Sequence, residues 1–155
     1  MPGKKAATKT AKLRTATKKS KTGAKPKSKK ALPSAAGADF APVFSALKDV
    51  MAAYAGELHV LSDEPRKFYL VTKSLSWRGG PMYFGAVIQG KAYVSYHLMP
   101  LYACPDLVKQ VSPELKRRMQ GKSCFNFRQR DEALLSELSE LTKSGLERYR
   151  AKKFL

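Results

Sequence analysis

Two apolar runs joined by a glycine turn constrain this chain more than any other feature. Pro81–Gln89 contains Met82, Tyr83, Phe84, Val87 and Ile88; Gly90 and Lys91 follow; then Ala92–Met99 contains Tyr93, Val94, Tyr96 and Leu98. Val, Ile, Tyr and Phe suit a pleated, half-buried surface, and two such runs around a Gly-containing turn predict a β-hairpin. Gly121–Phe127 adds a third apolar segment able to join it as a strand, and Phe68–Thr72 is a further short strand candidate. Alternation along the second run puts Tyr93 and His97 on one face and Tyr96 on the other.

Helical patterns surround these runs. Asp39 is a candidate N-cap and Pro42 fits a first turn. Phe40, Val43, Phe44, Leu47, Val50, Met51, Tyr54 and Leu58 then recur at helical spacing, with Gly56 a point of fraying. Asp63–Pro65 reads as a loop, and Trp77–Gly80 as a turn before the hairpin. Pro100 and Pro105 interrupt regular structure, with one helical turn expected at Asp106–Lys109. Ser112 and Pro113 open a short helix that Gly121 ends. Asp131 and Glu132 open a last helix at its positive end, and Leu134, Leu135, Leu138, Leu141 and Tyr149 form its apolar face. Gly145 is its weak point. The expected fold class is α+β: a small antiparallel sheet, the hairpin plus added strands, flanked by helices over residues 38–155.

Residues 1–37 are a different kind of polymer. The first 33 residues hold Lys4, Lys5, Lys9, Lys12, Arg14, Lys18, Lys19, Lys21, Lys25, Lys27, Lys29 and Lys30, and no acid. They therefore carry +12 of the total +18, leaving +6 for the rest. Leu13 and Leu32 are the only large branched aliphatics there, so burial cannot offset the entropy of ordering, and like-charge repulsion extends the chain. A disordered tail is expected. Its Lys-Ala-Pro composition resembles the tails of linker histones and of histone-like bacterial proteins. The expected partner is nucleic acid, bound through phosphates without sequence preference; the competing reading is a solubilising tail.

Other features bound the function. Cys104 and Cys124 are too few for a disulfide framework, which points to a reducing compartment. No apolar run suits a membrane span or a secretory signal, and the tail lacks the arginines and amphipathic face of a mitochondrial transit peptide. The expected location is the cytoplasm, at the nucleoid in a bacterium or in the nucleus of a eukaryote. Gly121-Lys122-Ser123 suggests a phosphate-binding loop, but Lys116 stands where that loop needs its first glycine. The order helix, turn, strand is also the reverse of what it requires. His59, His97, Cys104 and Cys124 match no zinc spacing, so no metal or cofactor is expected.

The richest polar-aromatic group is Trp77, Tyr83, Tyr93, Tyr96 and His97, with Tyr102 nearby. With Lys122 and Ser123 as a modest anion site, it is the candidate ligand pocket. The other reading of the same residues is core on one sheet face and tyrosines reaching water on the other. Pairing of His97 with Cys104 or Cys124 as base and nucleophile is open, although the spacing does not ask for it.

Leu98-Met99-Pro100 at a strand end, Gly121-Lys122-Ser123-Cys124-Phe125 opening another strand, and the Leu-rich final helix together resemble the YdhG-like family over residues 68–150. The resemblance implies a compact antiparallel sheet flanked by helices. Some members have been linked to iron handling in the manner of frataxins, which would make a small-ligand or metal-ion chaperone the alternative function. The acids of this chain are scattered, unlike a frataxin-style acidic ridge. No catalytic residues come with the family. The reading favoured is a non-enzymatic protein whose tail binds nucleic acid and whose domain binds a ligand or a protein, an unrecognised enzyme at the His97 region being the remaining alternative.

Overall fold

The computed structural model describes residues 39–75 and 79–155. The expectation of a disordered basic tail, and the place of Trp77, lie outside the described residues.

The first helix, α1 (Ala41–Ala52), has Phe40 and not Asp39 at its cap position; Asp39, one residue earlier, still accepts the Ala41 N–H on Oδ1 at 2.9 Å, and Pro42 lies in the first turn. It ends earlier than its apolar pattern suggests. Hydrogen bonds from Tyr54 N–H to Met51 O and from Leu58 N–H to Tyr54 O form successive turns. These carry Leu58 into the core from outside the helix. Four strands follow: β1 (His59–Glu64), β2 (Lys67–Leu75), β3 (Pro81–Gln89) and β4 (Val94–Leu98). The β3–β4 pair is the hairpin read from the apolar runs, with Gly90 N–H donating to Tyr93 O across its turn. Tyr93 therefore belongs to the turn, one residue short of the strand.

Three short elements come next: α2 (Pro100–Ala103), a 3₁₀ helix at Pro105–Gln110, and α3 (Pro113–Lys116). Ser112 caps α3, its Oγ accepting the Leu115 N–H at 3.1 Å. The same serine donates its N–H and its hydroxyl to the two carboxylate oxygens of Glu137, both at 2.7 Å. A charged acceptor on two donors is a strong tie, and it fastens α3 to the final helix. Strands β5 (Met119–Gln120) and β6 (Cys124–Phe127) lead to α4 (Glu132–Ala151), where Asp131 accepts the Leu134 N–H. Gly121, between β5 and β6, has φ +76, a left-handed turn that glycine adopts without strain.

All pairings are antiparallel, and the strand order is β1-β2-β3-β4-β6-β5. Because paired residues share a face, the register defines the two sides. Phe68, Val87, Tyr96, Phe125 and Met119 form one cross-strand row. The side they occupy is packed with Leu47 and Met51 of α1 and Leu138, Leu141 and Tyr149 of α4 into a single core. Gly85 shows how tightly α1 approaches: a Cβ there would stand 2.7 Å from the His97 carbonyl oxygen and 2.7 Å from Met51 Cε. Gly145 has the same role in α4, where a Cβ would meet Pro100 Cβ at 2.9 Å. The position that weakens the isolated helix is the one that lets α4 approach α2.

Two strands were not legible in the sequence pattern. β1 is exposed at nearly every position, and β5 has only two residues. The fold is α+β as expected, with a sheet of six strands.

Among the described residues no helix is long and apolar enough to cross a membrane.

Candidate functional site

The site is built on the sheet face opposite the core cluster. The register places Tyr69, Ala86, His97, Cys124 and Gln120 side by side across five strands. A neighbouring row holds Lys67, Ile88, Ser95 and Asn126. Bulges in the β2–β3 pairing bring Tyr83 opposite Val71 on the same face. There its ring lies 5.7 Å from that of Tyr69, tilted by 37°. Ala86, the smallest side chain in its row, is fully buried between Tyr69 and His97.

A chain of polar contacts runs from His97 to the sheet edge. His97 Nε2 lies 3.8 Å from Cys124 Sγ, and the Cys124 thiol is 3.6 Å from Asn126 Oδ1. Ser95 Oγ donates to the same Oδ1 at 3.1 Å, and Asn126 Nδ2 donates to Gln120 Oε1 at 2.7 Å. His97, Cys124, Ser95 and Asn126 are all half-buried.

Electrostatics keep this array neutral. Burial lowers the His97 pKa and raises that of Cys124, a rise that the neighbouring Ser95 partly offsets. Burial also pushes the Tyr83 phenol up, helped by Tyr69, Cys124 and Tyr149. At neutral pH the pair is thus an imidazole beside a thiol. A nucleophilic cysteine is normally activated as a thiolate by a cationic neighbour, and here the shifts run the other way. The arrangement offers hydrogen-bond donors and acceptors beside two aromatic rings, the composition of a recognition surface.

The residues grouped from the sequence divide into several places. Tyr83 and His97 share this face. Tyr96 does not, which corrects its inclusion in the pocket: it is fully buried in the core, its hydroxyl 2.7 Å from Thr142 Oγ1. The alternation that put His97 outward necessarily turned Tyr96 inward. Tyr93 sits in the hairpin turn. Ser123, half-buried, contributes its backbone carbonyl, which accepts the Leu98 N–H. Lys122 turns to Tyr102, its ammonium 5.3 Å from the ring centroid. Cys104 is buried in the core, so the cysteine beside His97 is Cys124. The sequence pattern does not single out Tyr69, Ser95, Asn126 and Gln120, which also stand on this face. Their signal was alternation within each strand, but only the pairing register shows that they meet.

Among the described residues no three of His, Cys, Asp or Glu gather as a metal site would need. Compared with protein-family models, curated proteins and solved structures, the chain matches none.

Proposed function

We propose that this is a non-enzymatic, two-part protein. Its basic segment binds nucleic acid through phosphates, and its folded part, of YdhG-like type, binds a ligand or a protein at the Tyr83–His97–Cys124 face. The observation that carries the first part is the separation of charge: twelve cations and no acid in the first 33 residues. The neutral hydrogen-bonding array on the sheet supports the second, because it offers recognition groups without an activated nucleophile.

Each lysine that neutralises a phosphate releases a condensed counterion, so binding weakens steeply with salt. With about six of the cations engaged at once, log affinity should fall against log salt with a slope of roughly −5 on duplex DNA. Contacts to phosphates carry no sequence information, so two unrelated duplexes should bind alike. The test is a salt titration of the full chain and of a variant with the twelve cations changed to Gln. Equal affinity of the two proteins would refute the role of the segment. A strong preference for one duplex would mean that the folded part reads sequence. Acidic vesicles should bind more weakly than DNA, since the segment lacks a lipid-inserting apolar face.

A further inference from the structure

A concavity lies on the helix side of the sheet, at its β5 edge. Met119 marks the side, because it pairs with Phe125 of the core row. Leu101, Tyr102, Val108 and Met119 supply apolar lining, and Lys116 and Lys122 supply charge, around a volume of about 600 Å³. Small-molecule sites typically enclose about 300–1,000 Å³, mostly apolar with a few placed polar groups.

Two observations give this cavity a chemistry. Tyr102 is 59% exposed although the adjacent Leu101 is buried, so a large aromatic ring faces the opening. Lys122 holds its ammonium over that ring, at the cavity wall. Neither Lys116 nor Lys122 enters an ion pair among the described residues, and no carboxylate lines the cavity. Two cations beside an apolar pocket complement an anion attached to an apolar body. A bare phosphate backbone would leave the apolar lining in water and gain nothing from it, whereas an anion with an apolar body uses both parts of the cavity.

We propose that this cavity binds a small carboxylate with an apolar body, a medium-chain fatty acid being the simplest case. The apolar chain lies along Leu101, Val108 and Met119, and the carboxylate sits between Lys116 and Lys122. The site is separate from the His97 face and does not rest on the reading given to that face.

The test is a titration of the full chain with decanoate at fixed salt, followed by methyl NMR of Met119, Leu101 and Val108. Acetate and decanol are run in parallel, because a chain of this net charge attracts any anion. Decanoate is expected to shift these methyls saturably, while acetate leaves them unmoved and decanol binds at least tenfold more weakly. Lys116→Gln and Lys122→Gln should each weaken decanoate by about tenfold, the cost of one charge-assisted contact. Both positions are exposed, so folding should survive, and an unchanged methyl spectrum of the free variant checks it. Val108→Phe, which fills the cavity, should abolish the shifts. Equal binding of decanol and decanoate, affinity unchanged in both lysine variants, or shifts confined to Ala86 and Ile88 would each overturn the proposal.

Discussion

The buried hydroxyl pair between sheet and helix yields a prediction whose sign is not obvious. Thr142 Oγ1 donates to Leu138 O at 2.6 Å, so its one proton is committed. Tyr96 is then the donor in the 2.7 Å contact with Thr142. Changing Tyr96 to Phe removes a donor and leaves the threonine with an unused lone pair, a loss of about 1 kcal/mol. Changing Thr142 to Val removes the acceptor and strands a buried phenol O–H, which should cost about 2–3 kcal/mol. In the double variant nothing is stranded, so its loss should be no larger than that of Thr142→Val alone. The coupling should therefore be about 1–2 kcal/mol in a double-mutant cycle. Urea unfolding of the four proteins measures it, with a common m-value as the check that the denatured state is unchanged. Additive losses, or Tyr96→Phe costing more than Thr142→Val, would refute the donor assignment.

Burial and close packing lead to three further expected outcomes. Tyr83, Tyr96 and Tyr149 have pKa values raised chiefly by burial. The stability they contribute is fully present below the ordinary tyrosine pKa of about 10 and is lost as pH rises above it, with a slope of about 1.4 kcal/mol per pH unit from Tyr96; denaturant melts from pH 8 to about 11 should show it, less steeply in Tyr96→Phe. Gly85→Ala should cost about 1–3 kcal/mol or more, because the new Cβ meets the backbone oxygen of His97, which cannot rotate away; a denaturant midpoint no lower than that of the parent chain would contradict the packing. Cys124, a half-buried thiol with a raised pKa, should alkylate more slowly at pH 7 than free cysteine, and Cys104 in the core more slowly still; mass spectrometry of a timed iodoacetamide reaction separates the two.

Local chemistry alone determined much of this protein. The hairpin was legible in two β-rich runs and one glycine turn. Three helix starts were legible in Asp39, Ser112 and Asp131, each of whose side chains accepts a backbone N–H near the start of its helix. Alternation along the strand is enough to separate Tyr96 from His97, with no reference to pairing. These signals act over a few residues, so a sequence displays them directly. The tertiary structure decided what local signals do not carry. β1 escaped notice because an exposed edge strand needs no apolar alternation, and β5 because its two residues are ordered by pairing with β6. Leu58 left the helix that its spacing suggested, since a turn can bury a side chain as well as a helix does. His97 and Cys124 are 27 residues apart and meet only through the β4–β6 register. Lys122 joined Tyr102 because Gly121 turns the chain at β5. A one-residue slip of β6 against β4 would turn Cys124 and Asn126 to the other face of the sheet, away from His97. Register is enforced by the buried row from Phe68 to Phe125, so the packing of the core decides which polar groups share the opposite face.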